Sequence, residues 1–255
     1  MIMKKVAFAI ACHPDDIEFM MAGTLTRLKE DLGYEIHYMN IANGSLGSEV
    51  YKAEELIKIR REEAQNSAKL MGAVYHESIT NDLEVFYNSE QLAKVVAEIR
   101  KVKPQIVLTH GPYDYMEDHV NAGRLATSAA FCRGMMNFRN VTEPMFSDEV
   151  AVYHSLPLSL KDQLNKPVIP DVFVDVTNVV EKKRAFLNCH RSQKEWLDAS
   201  QGLDAYLDDM QQRCEAMGKL CGFCEFAEGW IRHNPCGFCA EDYDPLAEIA
   251  RPAVK

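Results

Sequence analysis

The 255-residue chain is 47% hydrophobic and 26% charged, an ordinary globular composition, with a formal net charge of −10. Its basic residues are scattered apart from short pairs such as Arg60-Arg61 and Lys182-Lys183, which argues against a phosphate backbone as partner; no nucleic-acid role is expected. No stretch approaches the ~20 apolar residues of a membrane span, so the expectation is a soluble, cytoplasmic protein with no membrane partner, folded as one domain over 1–255 with a core over about 1–140 and an elaboration over about 141–255.

Taken in chain order, the first half alternates strands and helices. Val6–Cys12 is a continuous apolar run suited to a strand covered on both faces. Ala9-Ile10-Ala11-Cys12 imitates a lipoprotein cleavage box, yet the run is at the short end of the roughly 7–15 residues of a signal core and leads straight into His13-Pro14-Asp15-Asp16. A buried strand is the expectation. Ala22–Asp31 has helical spacing and stops near Gly33, and Glu35–Ala42 is the next strand, followed by the Asn43-Gly44-Ser45 turn. Lys52–Met71 is an amphipathic helix capped by Gly72, and Ala73–Glu77 a short strand. Ser89–Val102 is helical up to Pro104, Ile106–Thr109 is a buried strand, and Val120–Met136 is helical again. Beyond 140 the pattern weakens: strands over Val150–His154 and Asp171–Val176, helices over Val179–Cys189 and Lys194–Met217, and an irregular or strand-like 221–239.

Such alternation predicts an α/β fold with a mostly parallel, doubly wound sheet flanked by helices. Ligands of such sheets sit at the carboxyl ends of the strands. Two His/Asp-rich segments, 13–18 and 110–119, each follow a buried strand and so can meet over one edge of the sheet.

His13-Pro14-Asp15-Asp16 supplies an imidazole and a carboxylate for Zn²⁺ and leaves one acid spare. A catalytic zinc keeps three protein ligands, and Asp118-His119 is the source of the third. The competing expectation is a helix N-terminus capped by Asp15 or Asp16, with His13 as a packed turn residue.

His13-Pro-Asp-Asp-Ile-Glu18, Ala22-Gly-Thr-Leu25, Asn43-Gly44, Arg60-x-x-Glu63 on a helix ending at Met71-Gly72, and Asp118-His119 resemble, in order and spacing, the LmbE-like / PIG-L deacetylases. Val174-Asp175-Val176-Thr177 before Lys182-Lys183, His190-Arg-Ser-Gln193 and Phe226-Ala-Glu228-Gly-Trp230 agree. The resemblance implies a Rossmann-like fold and a Zn²⁺-dependent N-deacetylase acting on a small N-acetylated sugar conjugate of the N-acetylglucosamine type. It implies His13, Asp16 and His119 as ligands, Asp15 as general base, Asp118 as a carboxylate that orients His119 or a neighbouring group, and Arg60 as a substrate-holding residue. The role of Glu228 and the question of a homo-oligomer are left open.

One departure stands out. Many family members carry His-Pro-Asp-His on the second loop, whereas this chain has Met116-Glu117-Asp118-His119. Met116 falls where the first histidine acts as acid or oxyanion stabiliser, and a thioether can do neither. His110, His154, Glu117 and Asp15 itself are the alternative proton donors, and Asp114, Tyr115 and Met116, with Tyr113, are candidate pocket residues for a sugar. The loss of the histidine also admits a metal- or sugar-binding protein without turnover. Cys221-x2-Cys224 and Cys236-x2-Cys239 admit a structural zinc and hence a zinc-ribbon interaction protein. Four unbonded thiols are the simpler expectation, because the Phe226–Trp230 segment between the pairs matches the enzyme family.

Overall fold

The computed structural model describes residues 4–138, 141–201 and 205–254. A single eight-stranded sheet organises them, in the order β3-β2-β1-β4-β5-β7-β6-β8. The strands are β1 (Val6–Ala11), β2 (Glu35–Asn40), β3 (Val74–His76), β4 (Ile106–His110), β5 (Ala151–Ser155), β6 (Val172–Asp175), β7 (Ala227–Arg232) and β8 (Ala250–Arg251). From β3 to β5 every pairing is parallel, and the three strands beyond β5 are antiparallel. The mostly parallel α/β arrangement expected from the sequence is present, with an antiparallel flank drawn from residues beyond 150.

β1 shows why its run is apolar throughout. Ala7, Ala9 and Ala11 face one core cluster with Leu25, Met210 and Trp230, while Phe8, Ile10 and Cys12 face the other with Val95, Ile99 and Leu125. Both faces of the strand are covered, so neither tolerates a polar side chain. β1 pairs with β2 on one side and β4 on the other. The chain order therefore reverses between β1 and β4, and the carboxyl ends of these two strands open the crevice where ligands of such sheets bind.

The helices are α1 (Asp16–Met20), α2 (Ala22–Leu32), α3 (Ala53–Met71), α4 (Ser89–Val102), α5 (Glu117–Cys132), α6 (Val180–Leu187), α7 (Arg191–Gln201) and α8 (Ala205–Cys221). Gly33 and Gly72 close α2 and α3 at φ 72° and 66°, left-handed conformations that glycine adopts without steric cost. α5 begins three residues before the expected Val120, so Asp118 and His119 lie in its first turn rather than in a loop. Asp114 accepts the Met116 N–H at 3.0 Å just ahead of that turn, and the acidic Glu117 and Asp118 suit the positive end of the helix. α5 also stops at Cys132, not Met136. The helix expected over 194–217 corresponds to α7 and α8; residues 202–204 lie outside the described residues.

Glu228, whose role the sequence left open, is a buried clamp. Its carboxylate accepts the Gly23 and Thr24 N–H groups at 2.9 and 2.7 Å, at the N-terminus of α2, and pairs with the fully buried Lys183 of α6. One side chain of β7 thereby fixes two helices against the sheet. Among the described residues no helix is long and apolar enough to cross a membrane.

Candidate metal centre and catalytic cleft

The turn after β1 and the first turn of α5 meet at the crevice. His13 Nδ1 stands 3.3 Å from His119 Nε2 and 3.6 Å from Asp16 Oδ2, and His119 Nε2 stands 3.3 Å from the same oxygen. Ligand atoms about 2.0–2.1 Å from a tetrahedral centre lie about 3.3–3.4 Å apart, so this triangle has the dimensions of one face of a tetrahedral divalent-metal site. The two imidazole planes are inclined at 50° with centroids 5.3 Å apart, which lets their lone pairs converge.

Two neighbouring groupings of metal-type side chains are arranged differently. His110 and His119, with Asp114, are close enough in distance, but their rings stack at 4.1 Å with only 19° between planes. A metal must lie in the plane of each imidazole it binds, and stacked rings share no such point. Cys12 Sγ and Asp118 Oδ2 both face His13 Nε2, at 3.6 and 3.2 Å, the ring nitrogen that the triangle does not use, and Cys12 is fully buried away from the cleft.

Carboxylates stand behind both ligand-type histidines. His13 Nε2 lies 3.2 Å from Asp118 Oδ2, and His119 Nδ1 lies 3.1 Å from Asp114 Oδ2. The His13–Asp118 contact is the hydrogen bond that fixes ring orientation and raises basicity in metal-binding histidines, whereas His119 and Asp114 are a close charge pair without hydrogen-bond alignment. Asp118 also accepts the Leu83 N–H at 2.7 Å, and Asn40 Nδ2 donates to the His13 carbonyl at 2.7 Å. Burial opposes the charge on Asp16, yet His119, His110 and His13 outweigh it and hold the carboxyl well below its usual range. Burial likewise opposes a proton on His13 and His119, but Cys12, Asp118 and Asp16 around the first and Asp16 and Asp114 around the second raise both. The cluster is thus built to hold positive charge, and a cation there would replace those protons.

Asp15 occupies the N-cap position of α1 but makes no capping hydrogen bond, and its φ is 102°. Such a conformation costs a non-glycine residue on the order of 1–3 kcal/mol and persists only when its surroundings hold it. Tyr206 of α8 donates its hydroxyl to Asp15 Oδ2 at 2.8 Å, and Arg60 Nη2 lies 3.4 Å from the same oxygen. Burial raises the Asp15 carboxyl, with Arg60 acting against it. Arg60 also donates to the Pro14 carbonyl and, at 2.6 Å, to Gln193 Oε1. Its side chain crosses Gly44, where a Cβ would come within 2.5 Å of Cδ. Arg60 therefore grips the turn that carries Asp15.

A cleft of about 760 Å³ opens over His13, Asp15, Asp16 and His119 and is also lined by Tyr115 and Met116. Its opposite wall comes from α7 and α8, with Gln193, Trp196, Tyr206 and Asp209. Asp114 is 2% exposed and packs behind His119 rather than facing the cleft. His110 and His154 are not among the lining residues. The Cys12 N–H donates to His110 Nε2 at 2.9 Å. His154 Nδ1 donates to the His110 carbonyl at 2.8 Å and its Nε2 meets His233 at 2.9 Å. Glu117 and Tyr113 are exposed. Tyr206, Gln193 and Trp196 escaped sequence reading; only Gln193 had a motif to mark it.

All eight cysteines are free. Cys221 Sγ and Cys224 Sγ lie 3.4 Å apart, whereas Cys239 Sγ faces the Tyr243 carbonyl and Cys236 is exposed. Among the described residues these four thiols do not form a metal-type grouping.

The reversal in strand order, the tetrahedral-sized His/His/Asp triangle and the spare carboxylate beside it define an α/β protein with a candidate hydrolytic metal centre. The family model described as "PIG-L: GlcNAc-PI de-N-acetylase" matches residues 8–130. The chain is 34% identical over 200 residues to diacetylchitobiose deacetylase of Thermococcus kodakarensis, covering 75% of this chain and 70% of that protein. The chain belongs to the PIG-L/LmbE-like deacetylase family. It is also 25% identical over 201 residues to 4-oxalmesaconate hydratase of Pseudomonas putida, covering 75% of each. Among solved structures, N,N'-diacetylchitobiose deacetylase from Pyrococcus horikoshii shares the fold with a TM-score of 0.76 at 24% identity, over 95% of this chain and 88% of that one.

Proposed function

We propose that the chain is a Zn²⁺-dependent N-deacetylase acting on a small N-acetylated amino-sugar conjugate, with His13, Asp16 and His119 as ligands and Asp15 as general base. The observation that carries this reading is the His13–Asp16–His119 triangle with a second carboxylate, Asp15, lining the same cleft but outside the triangle. Two imidazoles and one carboxylate are a donor set that suits zinc, and the deacetylase relative at 34% identity supports the reaction class. Zinc bound there supplies Lewis acidity toward the amide carbonyl and acidifies water.

Asp15 accepts the proton of the attacking water as the new C–O bond forms. The C–N bond then breaks, and the same carboxyl returns the proton to the departing amine, since Met116 has none to give. Acetate and a free amino sugar are the products. Tyr115 and Trp196 offer aromatic faces to a sugar ring, Gln193 and Asp209 offer polar atoms to its edges, and Arg60 acts through the Pro14–Asp15 turn. Eight free thiols suit a reducing, cytoplasmic setting.

Acetate release from a panel of N-acetylated amino sugars tests the reading. Wild-type protein is expected to release acetate, and D15N to lose about 10²- to 10⁴-fold in kcat while keeping its metal. Water addition to an unsaturated dicarboxylate with no acetate release would overturn it in favour of hydratase chemistry.

A further inference from the structure

The turn that carries Asp15 is held from two sides, and both holds fall on one oxygen. The Tyr206 hydroxyl donates to Asp15 Oδ2 at 2.8 Å, and Arg60 Nη2 stands 3.4 Å from it. Among the described residues neither hold falls on Oδ1. Tyr206 itself has little freedom. It is 3% exposed, and its ring sits edge-on against Phe19 with centroids 5.0 Å apart at 78°. The hydroxyl meets Asp15 across 191 residues of sequence, from a helix beyond the 8–130 segment that the family model matches.

A carboxylate's two oxygens are equivalent and its terminal torsion is broad, so packing of the Asp15 backbone does not by itself fix the plane in which the carboxylate meets the cleft. The left-handed backbone at Asp15 adds a reason for an external hold. We propose that Tyr206 is a positioning residue that fixes the Asp15 carboxylate with Oδ1 toward the reacting water, and that α8 thereby completes the catalytic site from outside the family's matched core. This rests on the reading of Asp15 as general base. Arg60 alone does not replace the contact, because its guanidinium is shared among Asp15, the Pro14 carbonyl and Gln193.

The test is Y206F, which removes one oxygen and keeps the ring against Phe19. In the zinc-loaded protein kcat is expected to fall about 10- to 100-fold, the scale of a lost hydrogen bond to a charged group, with KM within about twofold. In a D15N background the same substitution is expected to cost nothing further, because both changes act through one carboxylate. A structure of Y206F is expected to show the Asp15 carboxylate rotated. Wild-type kcat in Y206F, an equal loss in the D15N background, or an unrotated Asp15 carboxylate would overturn the proposal. No acyl release by wild-type protein, together with a rotated Asp15 in Y206F, would instead overturn the deacetylase reading and leave the positioning contact standing.

Discussion

Gly123 sets the distance between α5 and β4, and G123A tests how tightly that distance controls the metal site. A Cβ at this position would stand 2.5 Å from the His110 carbonyl oxygen and 3.2 Å from its carbon. Both are backbone atoms of β4 and cannot swing aside. Ordinary contact lies near 3.5 Å, so α5 must retreat by about 1 Å. His119 lies one helical turn before Gly123 on the same face and would be carried with it. Metal–ligand distances tolerate only about 0.2 Å. Two effects on stability compete: alanine favours a helix by ~1 kcal/mol over glycine, whereas overpacking costs ~1–3 kcal/mol. Against rigid backbone the second wins, and the metal-free variant should be about 1 kcal/mol less stable in urea titration. Chelator competition should show zinc bound at least about tenfold more weakly, a loss of ~1.4 kcal/mol. A G123A protein that binds zinc as tightly as wild type would refute the claim that this close approach places His119.

Two further outcomes follow from buried charge. Burial, helped by His233 and His110, pushes His154 down to about 4, against the opposing pull of the His110 carbonyl. The unfolded chain, with an ordinary histidine, then binds more protons between about pH 4 and 6.5, so stability is complete above that window and falls by up to about 3 kcal/mol as pH drops through it. Denaturation at pH 7 and 4.5 should show a shallower decline for H154Q, and an identical decline would contradict the assignment. K183M removes the cation facing Glu228 and should cost about 3 kcal/mol, the low end for a broken buried pair, because Gly23 and Thr24 still donate to the carboxylate. An unchanged urea midpoint would show that the pair adds nothing to the α2–α6 clamp.

Local sequence rules carried most of the first half. Apolar runs covered on both faces gave β1 and β4, and Gly72 gave the end of α3, because each depends on residues adjacent in sequence. The start of α5 was missed because Asp114, two residues away, ties down the Met116 N–H ahead of the helix, a contact no periodicity reports. The antiparallel flank was hidden because β7 pairs with β5 and β6 across long intervals of chain. Within the site, residue types and spacing made His13, Asp16 and His119 visible together. Which carboxylate backs which histidine was not visible: Asp118, in the first turn of α5, faces His13, and Asp114, in the turn ahead of that helix, faces His119, contacts made between segments far apart or folded back in the chain. Tyr206 was beyond reach for the same reason, since nothing beside it in the sequence points to Asp15.

Zinc content per chain, measured after equilibration and removal of free metal, bears most directly on the central claim. One zinc is predicted in wild-type protein and in the C221S/C224S variant, and none is predicted in H119A or D16A. Zinc retained at one per chain in H119A, or lost in C221S/C224S, would place the metal elsewhere and contradict the account.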